Sequence, residues 1–376
     1  MNIGIVTFWS SEDNYGEVLQ AVALYKYLES RGHRCFIVKY SEERNSSFVS
    51  RLFTLIGLMG NPAKLVARIR RSCRQPDPLL NRRSDPSHAQ QTRRFSEFRD
   101  RWLRFSKEYS HSELKHDPPA AEAFVCGSDQ IWGGLDTVMY LSFVPACCKK
   151  IAFAPSFGGL NPNFYVRCKI RKYIESFDFV SCRENSGVEL CRALGRDDAC
   201  LFPDPTMMHR ADFYDAVVSQ APVAPKCGGK PYIFAYLLGN RMDFDVQEVY
   251  VFARRKGLNV VLVTGQNGAF ADMESCPATV EEWLDGIANA EYVVTNSFHG
   301  TMFSLIYHRK FLTLPLVGIH SRMNVRITEL LDKSGLSERI YRDSFDIIED
   351  DIDFSTFDRM QSECIGRVND ALKDIL

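Results

Sequence analysis

No run of about 18 apolar residues occurs anywhere in the chain, which excludes a hydrophobic helix that crosses a bilayer. An excess of charge of one sign is missing as well. Lys and Arg number 46 and Asp and Glu 47, a formal net charge of −1, so the molecule as a whole has no general attraction to nucleic acid, and none is expected as a partner. Zinc-type spacing is absent: none of the 12 cysteines sits in a CxxC pair, and Cys147 and Cys148 are adjacent, so no metal site is expected. Several cysteines, such as Cys35, Cys126 and Cys182, lie in apolar runs, as small buried hydrophobes do. No leader-like segment precedes the first apolar run, and a reducing, cytoplasmic compartment is the expectation. There is no GxGxxG after the first strand and no Walker loop, which argues against a dinucleotide oxidoreductase and a P-loop enzyme. Short-period repeats and low-complexity tracts are lacking too.

What is present is α/β alternation. At 376 residues, with 45% hydrophobic and 25% charged side chains, the chain has room for two domains with their own cores. Ile3 to Phe8 is an apolar run suited to a buried parallel strand. A helical pattern then carries Val18, Leu19, Val22, Leu24, Tyr25 and Leu28, closes at Gly32 and leads to the strand "CFIVKY". This is a βαβ unit, whose usual home is a doubly wound sheet. The expected fold is α/β, with two Rossmann-like domains facing a cleft. Residues 1–220 form the N-terminal domain on the acceptor side, 230–340 the C-terminal domain on the donor side, and 341–376 a helical tail that packs back on the first domain. The Pro- and Gly-rich stretch "SQAPVAPKCGGKP" marks the boundary.

One region departs from the average. Between Ser41 and His116 there are 16 Lys and Arg against eight Asp and Glu. The plainer reading is a helical insertion (about 41–116) with a solvated basic face. The sharper one is an interfacial segment that rests on an anionic membrane surface or meets a phosphate-bearing substrate.

Open α/β sheets bind ligands where strand ends enter helices. Four such places are unusually polar: "SSEDNYGEV", "CGSDQIWGG", "SCRENSG" and "TNSFHGT". The first three face the cleft from one side and the fourth from the other. Each has a plain structural alternative. Asn14-Tyr15-Gly16 can be a turn and helix start, Ser128 and Asp129 caps, and Trp132 core. Arg183 can pair with a structural carboxylate such as Glu184, and His299 can be a satisfied near-core histidine.

Taken together and in this order, "IGIVTFWSSEDNYGEVLQAVALYKYLESRGH", "GSDQIW", "SCRENSG", "FPDPTM", "VVTNSFHGTMFSLIYHRKFLTL" and "RMNVRITELLDKSGLSERI" resemble the polysaccharide pyruvyl transferase family. The resemblance covers nearly the whole chain except the basic stretch and the last thirty or so residues. It implies a GT-B-like fold and transfer of pyruvate from phosphoenolpyruvate to a sugar diol as a cyclic ketal, with no further cofactor. Some relatives carry Arg before the histidine where this chain has Phe298.

That chemistry assigns expected roles. Phosphoenolpyruvate carries a carboxylate and a phosphate, and its site needs cationic forks and helix N-termini. Arg183, Ser297, Gly300 and Thr301 are the donor-binding candidates, with Arg322 and Arg326, four apart, in reserve for phosphate. A group that exchanges protons near neutrality is needed, which suits His299, either as general acid or as the group that neutralises the departing phosphate. Asp129 and Glu184 are candidate bases. Asn14, Tyr15, Gly16, Ser128, Gln130 and Trp132 offer hydrogen bonds and a stacking face to the sugar acceptor, expected to be linked to a lipid diphosphate at the inner face of the cell membrane. Two competing functions stay open at this point: a GT-B glycosyltransferase using a nucleotide sugar, and a non-catalytic glycan-binding or assembly protein.

Overall fold

The computed structural model of the chain describes residues 1–12, 14–40, 93–158, 160, 162–221, 230–238, 242–265, 273, 275–318, 321 and 324–376. The first half runs β1 (Asn2–Val6), α1 (Tyr15–Ser30), β2 (Arg34–Tyr40), α2 (Phe95–Trp102), β3 (Phe105–Tyr109), α3 (His111–His116), β4 (Ala123–Cys126), β5 (Lys149–Ala152), α4 (Phe164–Ile174), β6 (Phe179–Cys182), α5 (Asn185–Ala193), β7 (Cys200–Leu201) and α6 (Ala211–Ser219). The second continues with β8 (Tyr232–Leu237), α7 (Gln247–Lys256), β9 (Asn259–Thr264), α8 (Val280–Ala288), β10 (Tyr292–Thr295), α9 (Phe298–Ile306), β11 (Lys310–Thr313), α10 (Asn324–Lys333) and α11 (Ser355–Leu372).

The strands make two parallel sheets. The larger has the order β3-β2-β1-β4-β5-β6-β7 and the smaller β11-β10-β8-β9. This is the α/β, GT-B-like pair of Rossmann-like domains anticipated above. Strands such as β4, β8 and β10 are buried along their whole length, as strands covered by helices on both faces must be. Strand order reverses between β1 and β4. At that reversal the loops after the two strands diverge to opposite faces and leave a crevice.

Residues 93–116 are not part of a helical insertion. They form α2, the edge strand β3, paired with β2, and α3. The charge excess hid the alternation of β3, only five residues long. The rest of the expected insertion, residues 41–92, lies outside the described residues. Among the described residues no helix is long and apolar enough to cross a membrane.

One hydrophobic cluster joins the two halves. The Tyr15 ring at the start of α1 stacks on Trp283 of α8 at 5.3 Å and meets Tyr236 of β8 edge-on at 5.6 Å. Its hydroxyl donates to the Ala278 carbonyl at 2.6 Å. The last helix, α11, returns to the first half. Phe357, Val368 and Leu372 enter the cluster that holds Ile3 and Leu28, and the Tyr27 hydroxyl bonds the Asn369 side chain at 2.8 Å.

Candidate active site

Short loops at the carboxyl ends of β4, β5, β6, β7 and β10 build one constellation. Its centre is Asp204, in the loop after β7. The sequence places it in "FPDPTM", where Asp204 caps a 3-10 turn through Thr206, whose amide and hydroxyl donate to Oδ1 at 3.1 and 2.8 Å. The other carboxylate oxygen receives Arg183 Nη1 at 2.6 Å and faces His299 Nε2 at 3.5 Å. Asp204 is fully enclosed. Burial pushes its pKa up, but His299, Arg183 and the Thr206 amide more than offset this and hold the carboxyl well below the usual carboxylate range.

Arg183 follows β6 directly. Its second fork nitrogen reaches Asp129 at 3.2 Å, and its side chain is 2% exposed. Burial disfavours the guanidinium charge, but Asp204, Asp129 and Glu184 outweigh burial and keep the group protonated. The expectation of Arg183 as an open fork for the donor carboxylate is therefore corrected. Both terminal nitrogens are already taken by carboxylates, and the residue joins the β4, β6 and β7 loops.

Asp129 has a left-handed backbone, φ 60°, an uncommon conformation held here by its neighbours. Ser156 N donates to its carbonyl at 2.7 Å, and Gly127, at φ 132°, lies so close to the Phe153 carbonyl that any side chain there would collide. Glu184 is not presented as a base for a sugar hydroxyl. It is buried, with Oε1 receiving the Ser156 hydroxyl and the Phe157 amide at 3.0 and 2.9 Å, while Oε2 is enclosed with no hydrogen-bond partner among the described residues.

From the second half comes His299. The helix α9 begins at Phe298, so His299 sits in its first turn. Ser297 is the N-cap and accepts from the Gly300 amide at 3.4 Å; the Thr301 amide bonds the Ser297 carbonyl at 3.0 Å. Both amides are thus used within the helix, which corrects their assignment to the donor's oxygens. Thr301 is fully buried and its hydroxyl contacts Thr313. Gly300 is required for another reason: a Cβ there would lie 2.3 Å from Thr295 Oγ1, so glycine lets α9 close on β10.

Arg326, on α10, differs from Arg183. Among the described residues it has no hydrogen bond or ion pair. Its guanidinium lies over the Phe298 ring at 5.5 Å, while Arg183 lies over the same ring at 5.2 Å. It is half-buried. Its pKa is pushed down to about 10, first by burial and then by Arg183, against the opposing pull of Asp129, Glu184 and Asp204. It stays charged at neutral pH, but uncomfortably, and an entering anion would relieve it. Arg322 lies outside the described residues.

The acceptor candidates separate into groups. Tyr15 and Trp132 are fully buried and present no face to a sugar. Tyr15 belongs to the core between the domains, and Trp132 stacks on Tyr140 at 5.2 Å, with its Nε1 donating to the Met139 carbonyl. Ser128 is also enclosed; its amide bonds Gln20 Oε1 and its hydroxyl the Ala154 carbonyl. Asn14 caps α1 through the Glu17 amide. Gly16 lies against the His299 ring. Gln130 remains. It is half-buried, with no side-chain hydrogen bond among the described residues, and lies beside Gly158.

Asp204 is the residue that sequence reasoning passed over. An Asp between two prolines at a strand end was the available signal. Among the described residues no group of three or more His, Cys, Asp and Glu side chains is arranged to hold a metal.

Residues 14–315 match the family model described as polysaccharide pyruvyl transferase. No curated protein matches by sequence. Solved structures similar to the chain include UDP-GlcNAc 2-epimerase from Methanocaldococcus jannaschii, at 10% identity and TM-score 0.45, covering 93% of this chain and 90% of that one. UDP-GlcNAc 2-epimerase from Neisseria meningitidis bound to UDP-GlcNAc is 7% identical, with TM-score 0.45 and coverage of 98% and 100%. E. coli heptosyltransferase WaaC with ADP-2-deoxy-2-fluoro heptose is 14% identical, with TM-score 0.35 and coverage of 83% and 88%.

Proposed function

The chain belongs to the polysaccharide pyruvyl transferase family, and from that premise we propose that it moves pyruvate from phosphoenolpyruvate onto two hydroxyls of a sugar, as a cyclic ketal, with release of phosphate. The acceptor is a surface-polysaccharide precursor carried on a lipid diphosphate, and the reaction takes place in the cytoplasm at the inner face of the membrane. The observation that carries this reading is the pairing of a proton-exchanging group with an unpaired cation. His299 faces buried Asp204 at 3.5 Å, and Arg326, without a carboxylate partner among the described residues, lies against the adjoining Phe298 ring.

Asp204 faces Nε2 of His299 at 3.5 Å and helps to hold the ring in the cluster. The protonated ring delivers a proton to the donor's methylene carbon. The central carbon, now electron-poor, is attacked by the first sugar hydroxyl, whose proton leaves to a base. Departure of phosphate, with its bonding electrons, regenerates an oxocarbenium centre. The second hydroxyl closes the ring and gives up its proton. The net change is two hydroxyl protons lost by the sugar, one gained by carbon and one by phosphate. Arg326 holds the donor's anionic groups. Asp129, pinned by Arg183 at the cleft, is the base for the acceptor hydroxyl, and Gln130 contributes an acceptor hydrogen bond.

Phosphate release from phosphoenolpyruvate in the presence of galactose-, mannose- and glucosamine-terminated acceptors tests this. The expected result is acceptor-dependent release that disappears in His299→Ala with folding intact. Release of nucleotide from a sugar donor, with phosphoenolpyruvate untouched, would overturn the proposal.

A further inference from the structure

Helix α4 has two faces with different fates. Ile170 and Ile174 point inward and join the core of the larger sheet. The outward side opens with Phe164, 83% exposed, and Tyr165, 50% exposed. Burying such rings is worth more than leaving them in water, and Phe164 is the most exposed large hydrophobic among the described residues. Behind them come Arg167, Lys169, Arg171 and Lys172, and the helix carries no Asp or Glu. Lys169 lies over the Tyr165 ring at 4.9 Å. Arg167, Arg171 and Lys172 have no side-chain hydrogen bond or ion pair among the described residues. Some surface cations elsewhere do find carboxylates, as Lys26 does with Glu29 and Lys310 with Asp351.

The place of this face is as telling as its composition. The chain leaves β5 at its carboxyl end and passes Ser156 and Phe157, which are tied to Glu184. It then passes Gly158, beside Gln130, before entering α4. The exposed first turn therefore stands on the same edge of the sheet as the candidate site.

We propose that the exposed face of α4 is a docking surface for an anionic lipid bilayer, with Phe164 and Tyr165 entering the interfacial layer and the exposed Arg171 and Lys172 lying against the headgroups. Two exposed rings at one tip with cations trailing along the same helix suit a deformable, two-dimensional array of negative charge. Between Phe164 and Ile174 no acidic group opposes that attraction; the exposed C-cap Glu175 stands at the end of the helix away from the two rings. The attraction is electrostatic in part and weakens with salt. This binding is a separate property from pyruvyl transfer and does not depend on it; loss of one in a test would leave the other standing.

Flotation of the full chain with vesicles of phosphatidylglycerol and phosphatidylcholine, against phosphatidylcholine alone, provides the test. Binding to the anionic vesicles is expected, and it should fall at least about tenfold in Phe164→Ser/Tyr165→Ser and in Arg171→Glu/Lys172→Glu, and again when salt is raised from 0.05 to 0.5 M, roughly as screening of surface charges requires. Both double variants change exposed positions, and unchanged circular dichroism melts confirm their folding. As a second readout, the emission of Phe164→Trp should shift to the blue on anionic vesicles. No binding by the unaltered chain, equal binding by the variants or an unshifted emission would each overturn the proposal. Binding to polyglutamate without binding to vesicles would assign the face to an acidic partner chain and also overturn it.

Discussion

Gly16 and His299 compete for the same space. A Cβ built at Gly16 would lie 1.9 Å from Nδ1 of the imidazole and 2.2 Å from its Cγ. The second residue of α1 therefore forms part of the wall that fixes a ring delivered by α9 from the other half of the molecule. Glycine is needed here to permit contact, independently of any turn. Gly16→Ala should displace the ring by about an ångström, which can cost on the order of 10²-fold in turnover. The overpacking should also cost about 1–3 kcal/mol of stability. Phosphate-release kinetics alongside a urea unfolding curve check both; wild-type turnover would show that the ring position is unimportant.

Arg326 and Arg183 share the Phe298 ring, but among the described residues only Arg183 is neutralised by carboxylates. Their substitutions should therefore fail in different ways. Arg326→Gln should raise the KM for phosphoenolpyruvate by at least about tenfold while leaving the melting point within a few degrees, because a charge-assisted contact to a ligand is lost and no native pair is broken. Arg183→Gln should lower stability by about 3–5 kcal/mol, because it leaves two carboxylates facing each other without their cation. Donor titrations and denaturant unfolding on the two variants separate the effects, and equal destabilisation by both would contradict the distinction.

The alternation of apolar strands and helices was legible because buried parallel strands are continuous apolar runs and helices repeat near 3.6 residues. The edge strand β3 was not, since an edge strand is half solvated and Phe105–Tyr109 alternates too briefly among charges. The site was legible as a set of loops, each polar stretch standing at a strand end. The direction of individual side chains was not. A sequence shows that Trp132 and Tyr15 are aromatic but not that both face inward, and it shows that Arg183 follows a strand but not that two aspartates, 54 residues before it and 21 after it, converge on its fork. Asp204 escaped notice because its importance is entirely spatial: a capping residue of a short turn becomes the centre of the cluster only when β7 lies beside β6.

The Tyr15 hydroxyl offers a direct check on the core assignment. In Tyr15→Phe the stack on Trp283 survives and the bond to the Ala278 carbonyl is lost. Stability should drop by about 1 kcal/mol, while the KM for the acceptor stays unchanged. A raised acceptor KM with no change in stability would return Tyr15 to the sugar site.

The acid behaviour of the cluster follows from the direction of the Asp204 shift. Its pKa is depressed in the folded protein, so its ionised form is favoured by folding. The resulting stability is fully present above the unfolded carboxylate value of about 3.9 and is lost as pH falls through the folded value below it. Asp204→Asn removes that contribution at every pH where it exists and leaves the Arg183 charge without its closest partner. The variant should therefore be less stable than the unaltered chain by about 3–5 kcal/mol at neutral pH. The difference should stay constant down to about pH 5 and shrink only in stronger acid, as the unfolded carboxylate becomes protonated. Urea unfolding of both proteins from pH 7 to 3 measures this. A difference that grew on acidification would mean that Asp204 is held protonated by its burial, and the ion cluster with Arg183 and His299 would have to be abandoned.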